Sequence, residues 1–122
     1  MASHNDFGKE AEVFAAQYLV KNNYKILDKN YRFGKAEIDI IAIDESKNEL
    51  VIVEVKSLFS DNLKNPEESV NKAKRKLLIK AADEYITSNS ILLETRFDII
   101  SLVIQHSEWK INHIRNAFMA YE

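Results

Sequence analysis

The sequence predicts an α/β fold with the element order αβββαββ. Three observations carry this: an apolar stripe at helical spacing over residues 7–19, three successive segments in which Ile, Val and aromatic residues alternate with polar ones, and a second helical stripe followed by two more alternating segments.

In the first element, Phe7, Ala11, Phe14, Ala15, Tyr18 and Leu19 recur every three to four residues, and Ser3, Asn5 and Asp6 ahead of them offer capping oxygens. The helix is expected to end near Lys21, Asn22 and Asn23. Residues 24–33, 36–43 and 50–56 read as a meander of three strands, separated by Gly34-Lys35 and by the polar run 44–49. Pro66 suits the first turn of a second helix, where Glu67 and Glu68 would sit favourably at the positive end of the dipole. That helix is expected to run to about Ile86 and to bury Val70, Ala73, Leu77, Leu78, Ala81 and Tyr85. Residues 96–104 and 109–114 read as two more strands, and 115–122 as an unassigned tail.

Composition narrows the function classes. With 122 residues, 46% of them hydrophobic, only two Gly and one Pro, the chain is expected to form a single domain over residues 1–122. Seventeen basic residues against 19 acidic ones give no general positive field, so any nucleic-acid footprint must be local. The absence of cysteine excludes disulfides and thiolate metal sites, and His4, His106 and His113 lack ligand-like spacing, which argues against zinc. The first residues are too polar for a secretory signal, and no apolar run approaches the ~20 residues of a membrane span. The expected setting is cytoplasmic, with no membrane partner.

The charges inside the central strands are the functional lead. By strand alternation Glu37 and Asp39 share one face, with Ile38, Ile40 and Ala42 on the other. In the next strand Ile52, Glu54 and Lys56 share a face opposite Val51, Val53 and Val55, so a hairpin brings the four charges together. One reading is the solvated outer face of an antiparallel sheet. The other is a partly buried site, because Ile41, Ile43 and Ile52 lie on the charged face and unpaired ions are costly there. Two such carboxylates form a hard oxygen site suited to Mg²⁺ or Mn²⁺, and a lysine beside them suits phosphodiester hydrolysis.

The ordered set "GKEAEVFAAQYL", "NYR", "AEIDIIA", "VIVEVK", "NPEESV", "KAKRKLLIKAADEYI", "RFDII" and "NAF" resembles the YraN-like family of uncharacterised, predicted endonucleases. "EID" followed by "EVK" is similar to the motif of the PD-(D/E)xK nuclease superfamily. The resemblance spans roughly residues 7 to 118 and implies a restriction-endonuclease-like three-layer core, a mixed sheet flanked by helices. It implies Asp39 and Glu54 as metal ligands, with the Val55 carbonyl as a further oxygen, and Lys56 as the group attending the attacking water. Glu37 would either tune the metal from outside its ligands or pair with a cation. The pattern departs from the family at Ala36, where glycine commonly precedes "EID", and at Leu58, where arginine often follows "EVK".

The family also resembles, distantly, archaeal Holliday junction resolvases, which place a functional glutamate on their first helix. Glu12 is the matching acid, on the flank of the apolar stripe: it either looks inward or covers core with its stem while its carboxylate reaches water. Residues 71–80 contain five basic residues and no acid. Lys72, Arg75, Lys76 and Lys80 are expected outside the buried stripe, as a solvated face or as phosphate contacts. Lys74 falls within the stripe, between Val70 and Leu78, so it must snorkel or find a carboxylate; the family resemblance aligns it with a recurrent lysine and implies an active-site or phosphate-facing role. The expectation is a Mg²⁺- or Mn²⁺-dependent nuclease acting on DNA, with Lys72, Lys74, Arg75 and Lys76 as nucleic-acid contacts. The alternative is a non-catalytic nucleic-acid- or protein-binding module. A homodimer is the assembly that cutting both strands of a symmetric substrate would favour.

Overall fold

The computed structural model describes residues 4–59 and 70–120, and the side chains of 8–58 and 70–120. Its elements are α1 (His4–Lys21), β1 (Tyr24–Phe33), β2 (Ala36–Asp44), β3 (Glu49–Phe59), α2 (Lys72–Ser88), β4 (Glu94–Gln105) and β5 (Glu108–Phe118). The order αβββαββ is therefore observed. The strands form one mixed sheet in the order β1-β2-β3-β4-β5. All neighbours are antiparallel except β3 and β4, which run parallel and are connected through α2.

Apolar residues on the two faces of the sheet build two cores. On one face Ala11, Ala15 and Leu19 of α1 pack with Tyr24, Ile40, Ala42, Val51, Val53, Ile100 and Leu102. On the other, Leu78, Ala81, Ala82 and Tyr85 of α2 pack with Ile38, Ile41, Leu50, Ile52, Phe97 and Ile99. β3 is central, and its run Leu50, Val51, Ile52 and Val53 is buried whichever way each side chain points. Each fully buried Ile or Leu contributes roughly 1.5–3 kcal/mol. Among the described residues no helix is long and apolar enough to cross a membrane.

Four local readings are corrected. Asn5 and Asp6 lie inside α1, which begins at His4, so they do not cap it; Ser3 and the Phe7 side chain are outside the described residues. The second helix does not run on from Pro66. Asn71 is its N-cap, in an extended conformation, and its side chain accepts the Lys74 N–H at 2.9 Å. The cap satisfies an amide that would otherwise lack a partner. Val70 is buried just ahead of the helix, and Pro66, Glu67 and Glu68 lie outside the described residues. Within α2 the buried face runs through Leu78, Ala81, Ala82 and Tyr85, so Ala73 and Leu77 are exposed and Ala82 is buried instead. Finally, part of the tail is strand, since β5 continues to Phe118, which stacks on Phe97 across the sheet.

The fourth correction matters most for the site. Ile38 does not share a face with Ile40 and Ala42: it packs under α2, they under α1. The cause lies in β1. Its pairing with β2 passes from Lys29↔Ile40 to Tyr31↔Ile38, leaving Asn30 opposite Asp39, and Asn30 has φ 55°. A left-handed residue in a strand rotates the following residues about the strand axis, and asparagine tolerates it better than most. Tyr31 and Phe33 accordingly join the α2 side with Ile38 and Ala36. Gly34, at φ 61°, then supplies the left-handed position of the two-residue loop between Phe33 and Ala36.

Candidate active site at the fork between β2 and β3

The pairing of β2 with β3 runs from Asp44↔Glu49 to Ile40↔Val53 and stops there. Beyond it β2 stays with β1 as far as Ala36, and β3 stays with β4 as far as Phe59. The sheet therefore opens into a fork, and the first side chains inside it are those of Asp39 and Glu54. Asp39 Oδ2 accepts the Val55 N–H at 2.8 Å, satisfying an amide that a longer ladder would have paired. In an extended strand the N–H and C=O of one residue point toward the same neighbour, so the Val55 carbonyl also faces the fork.

Glu54 is 5% exposed, and its Oε2 lies 2.9 Å from Lys74 Nζ of α2. That oxygen receives no directional hydrogen bond, so its contact with Lys74 is one of charge. Asp39 and Glu54 are joined through their side chains, and burial, followed by Glu54, pushes the Asp39 carboxyl up to about 9. At neutral pH the Asp39 carboxyl therefore keeps its proton. Lys56, half-buried, reaches hydrogen-bonding range of Lys74. Burial and then Lys74 lower its pKa, while Glu54 and Asp39 work in the opposite direction. Burial also opposes the charge on Lys74, but Glu54 outweighs it and the Lys74 pKa is raised.

Asp39, Glu54, Lys56 and Lys74 are thus brought together, and the partly buried reading of the charges prevails over a solvated outer face. Glu37 is not on the Asp39 face: the rotation at Asn30 turns it to the other side. With its nitrogen oriented toward the two carboxylates, as the hydrogen-bonding network requires, the Asn30 amide donates to Glu12 Oε1 at 2.9 Å and to Glu37 Oε1 at 3.1 Å. Glu37 also meets Arg32 at 3.4 Å. Glu12 is half-buried beside this group, and its pKa is raised by burial and then by Glu37. Among the described residues no three Asp, Glu or His side chains are grouped to hold a metal.

Lys72 and Lys76 are exposed on α2, as expected. Arg75 is not on that outer face. It is half-buried, its Nε donates to the Val70 carbonyl at 2.8 Å, and its guanidinium stacks over Phe118 at 5.1 Å. The reason is the late helix start, which leaves Val70 O without a helical partner and turns Arg75 toward it.

Sequence reasoning missed a second charged cluster, on the α1 face near the closed end of the β2–β3 hairpin. Arg96 bonds Asp98 through Nε and Nη2, Asp44 and Glu49 through Nη1, and the Tyr24 hydroxyl through Nη2. His113 Nε2 lies 2.6 Å from Asp98 and its Nδ1 3.0 Å from the Tyr18 hydroxyl. Burial opposes the charge of Asp98, but His113, Arg96 and the Asn116 N–H hold its carboxyl below the usual range. Asn116, at φ 56°, interrupts β5 opposite Asp98 much as Asn30 interrupts β1 opposite Asp39. The signal was present, since Arg96 and Asp98 sit two apart in an apolar strand and therefore share a face.

Fold and site together define a small α/β protein with helices on both sheet faces and, in a forked sheet, a buried glutamate, a half-buried aspartate and two lysines. The chain belongs to the uncharacterised protein family UPF0102, whose sequence model matches residues 11–102. It is 48% identical over 118 residues to a UPF0102 protein of Flavobacterium psychrophilum, covering 97% of this chain and 98% of the relative. A UPF0102 protein of Phocaeicola vulgatus is 43% identical over 118 residues, covering 97% and 96%. One of Clostridium beijerinckii is 42% identical over 118 residues, covering 94% of each.

Proposed function

We propose that this protein is a Mg²⁺- or Mn²⁺-dependent endonuclease that hydrolyses phosphodiester bonds in DNA, with branched or otherwise structured DNA as its substrate class. The observation that carries the reading is the fork: two carboxyls and two lysines meet where a sheet opens, on the residues that match the PD-(D/E)xK motif.

The residues fit a hard divalent cation. Asp39 holds a proton that a cation would displace, Glu54 Oε2 is buried against the Lys74 ammonium, whose place a cation could take, and the Val55 carbonyl adds a neutral oxygen. When bound, such a cation polarises a phosphate and acidifies water. Lys56 does the work nearest the reacting atoms. Burial and its lysine neighbour ease the loss of its proton, so Nζ can orient a water and take up the proton released as the water oxygen bonds to phosphorus, while the ester P–O bond breaks and its oxygen leaves as an alcohol with a proton from solvent. Lys72 and Lys76, exposed on α2, would neutralise phosphates flanking the reacting one.

The test incubates single-stranded, duplex and four-way-junction DNA, and an RNA duplex, with the protein in Mg²⁺, in Mn²⁺ or in chelator, beside Glu54→Ala and Lys56→Ala. The expected result is cleavage of DNA that needs metal and falls by roughly a hundredfold or more in either variant. Cleavage that both variants retain refutes the assignment. Substrates left intact but bound with a salt-dependent affinity would replace it with the binding-module reading.

A further inference from the structure

We propose that Lys74 is an exchangeable counter-cation: it holds the cation position at Glu54 in the metal-free protein and, once released, binds a phosphate of the substrate. This rests on the reading of Asp39 and Glu54 as metal ligands.

Three observations support it. Lys74 Nζ lies 2.9 Å from Glu54 Oε2, the buried oxygen that lacks a directional hydrogen bond, so the ammonium is seated there by charge. Lys56 and Lys74 are already side by side against two carboxyls, and a divalent cation added to that group would leave it with excess positive charge in a poorly hydrated space. Movement of one ammonium toward solvent relieves that excess. The two lysines differ in their freedom to do so. Lys56 stands in β3 within the parallel ladder, opposite Ser101. Lys74 is in the first turn of α2, and its side chain is 38% exposed, so rotation of its stem carries Nζ toward solvent without disturbing the sheet. There it stands at the helix end whose dipole favours an anion.

The experiment titrates Mn²⁺ into the full chain, into Lys74→Met and Lys74→Gln, and into Lys80→Met, which removes a charge from the exposed side of α2. Both Lys74 variants are expected to bind Mn²⁺ roughly tenfold tighter or more, with Lys80→Met close to wild type. Binding of a four-way-junction DNA, made with phosphorothioate linkages that keep its charge and resist cleavage, is then followed against salt. With Mn²⁺, Lys74→Met is expected to lower the salt slope by about 1; in chelator, where Glu54 occupies Lys74, the slope is expected to stay unchanged. Unchanged or weaker Mn²⁺ binding in both Lys74 variants, or an equal fall in slope with and without metal, overturns the proposal while leaving the metal site intact. Wild-type protein that binds no Mn²⁺, or whose binding survives Asp39→Ala with Glu54→Ala, overturns the metal site and this proposal with it.

Discussion

Replacing Asp39 by asparagine should stabilise the metal-free protein, and the gain should grow with pH. In the unfolded chain an aspartate loses its proton near pH 4. In the fold, burial and Glu54 push the Asp39 carboxyl up to about 9. Between these values the folded state holds a proton that the unfolded state has released, so stability falls as pH rises, and the loss is absent below the unfolded value. An isolated group of this kind would cost about 1.4 kcal/mol per pH unit. Lys56 and Lys74 share the field at the fork and absorb part of it, so the expected gain is about 1–2 kcal/mol at pH 8. Asparagine keeps an oxygen for the Val55 N–H and removes the titration. Urea unfolding in chelator at pH 5, 6, 7 and 8 measures the difference, which should shrink toward pH 5. A difference that does not change with pH, or a variant less stable than wild type at pH 8, would refute the protonated Asp39 at the fork.

Two further substitutions probe the scaffold. Arg96→Met removes the guanidinium that joins Asp44, Glu49 and Asp98 and leaves two buried carboxylates without the cation between them, so a loss of about 3–5 kcal/mol is expected in chemical denaturation; a loss below 1 kcal/mol would mean that the network contributes little. Gly34→Ala places a side chain at φ 61° with open space around it, so only backbone strain opposes it. A cost of about 1–2 kcal/mol is expected, and thermal unfolding at or above the wild-type temperature would contradict it.

The fold order was legible because each element carries its own period: Ala11, Ala15 and Leu19 at helical spacing, and Val51 to Val55 in alternation. The helix start at Asn71 was not, because Pro66 with two acids is also a good local beginning, and local preference cannot tell which cap the sheet will accept. The site was partly legible. Glu54 and Lys56 share a face by simple counting, but the separation of Glu37 from Asp39 depends on the left-handed residue opposite them, and nothing in the spacing of β2 reports a rotation made in β1. Arg75 shows the same limit: a basic residue in a basic run reads as solvated until the position of the Val70 carbonyl is known.

By itself, then, the sequence determined the sequence of helices and strands, the acidic and basic character of two strands, and the placement of Lys74 on an inward helical face, since these follow from periods of two and 3.6 residues along one chain. Tertiary structure alone decided that the sheet forks after Ile40 and Val53, that Lys74 rests on Glu54, that Asn30 gathers Glu12 with Glu37, and that Arg96 ties three carboxylates together. Each of these joins residues distant in sequence, and their charges interact only once packing has excluded the water that would otherwise screen them.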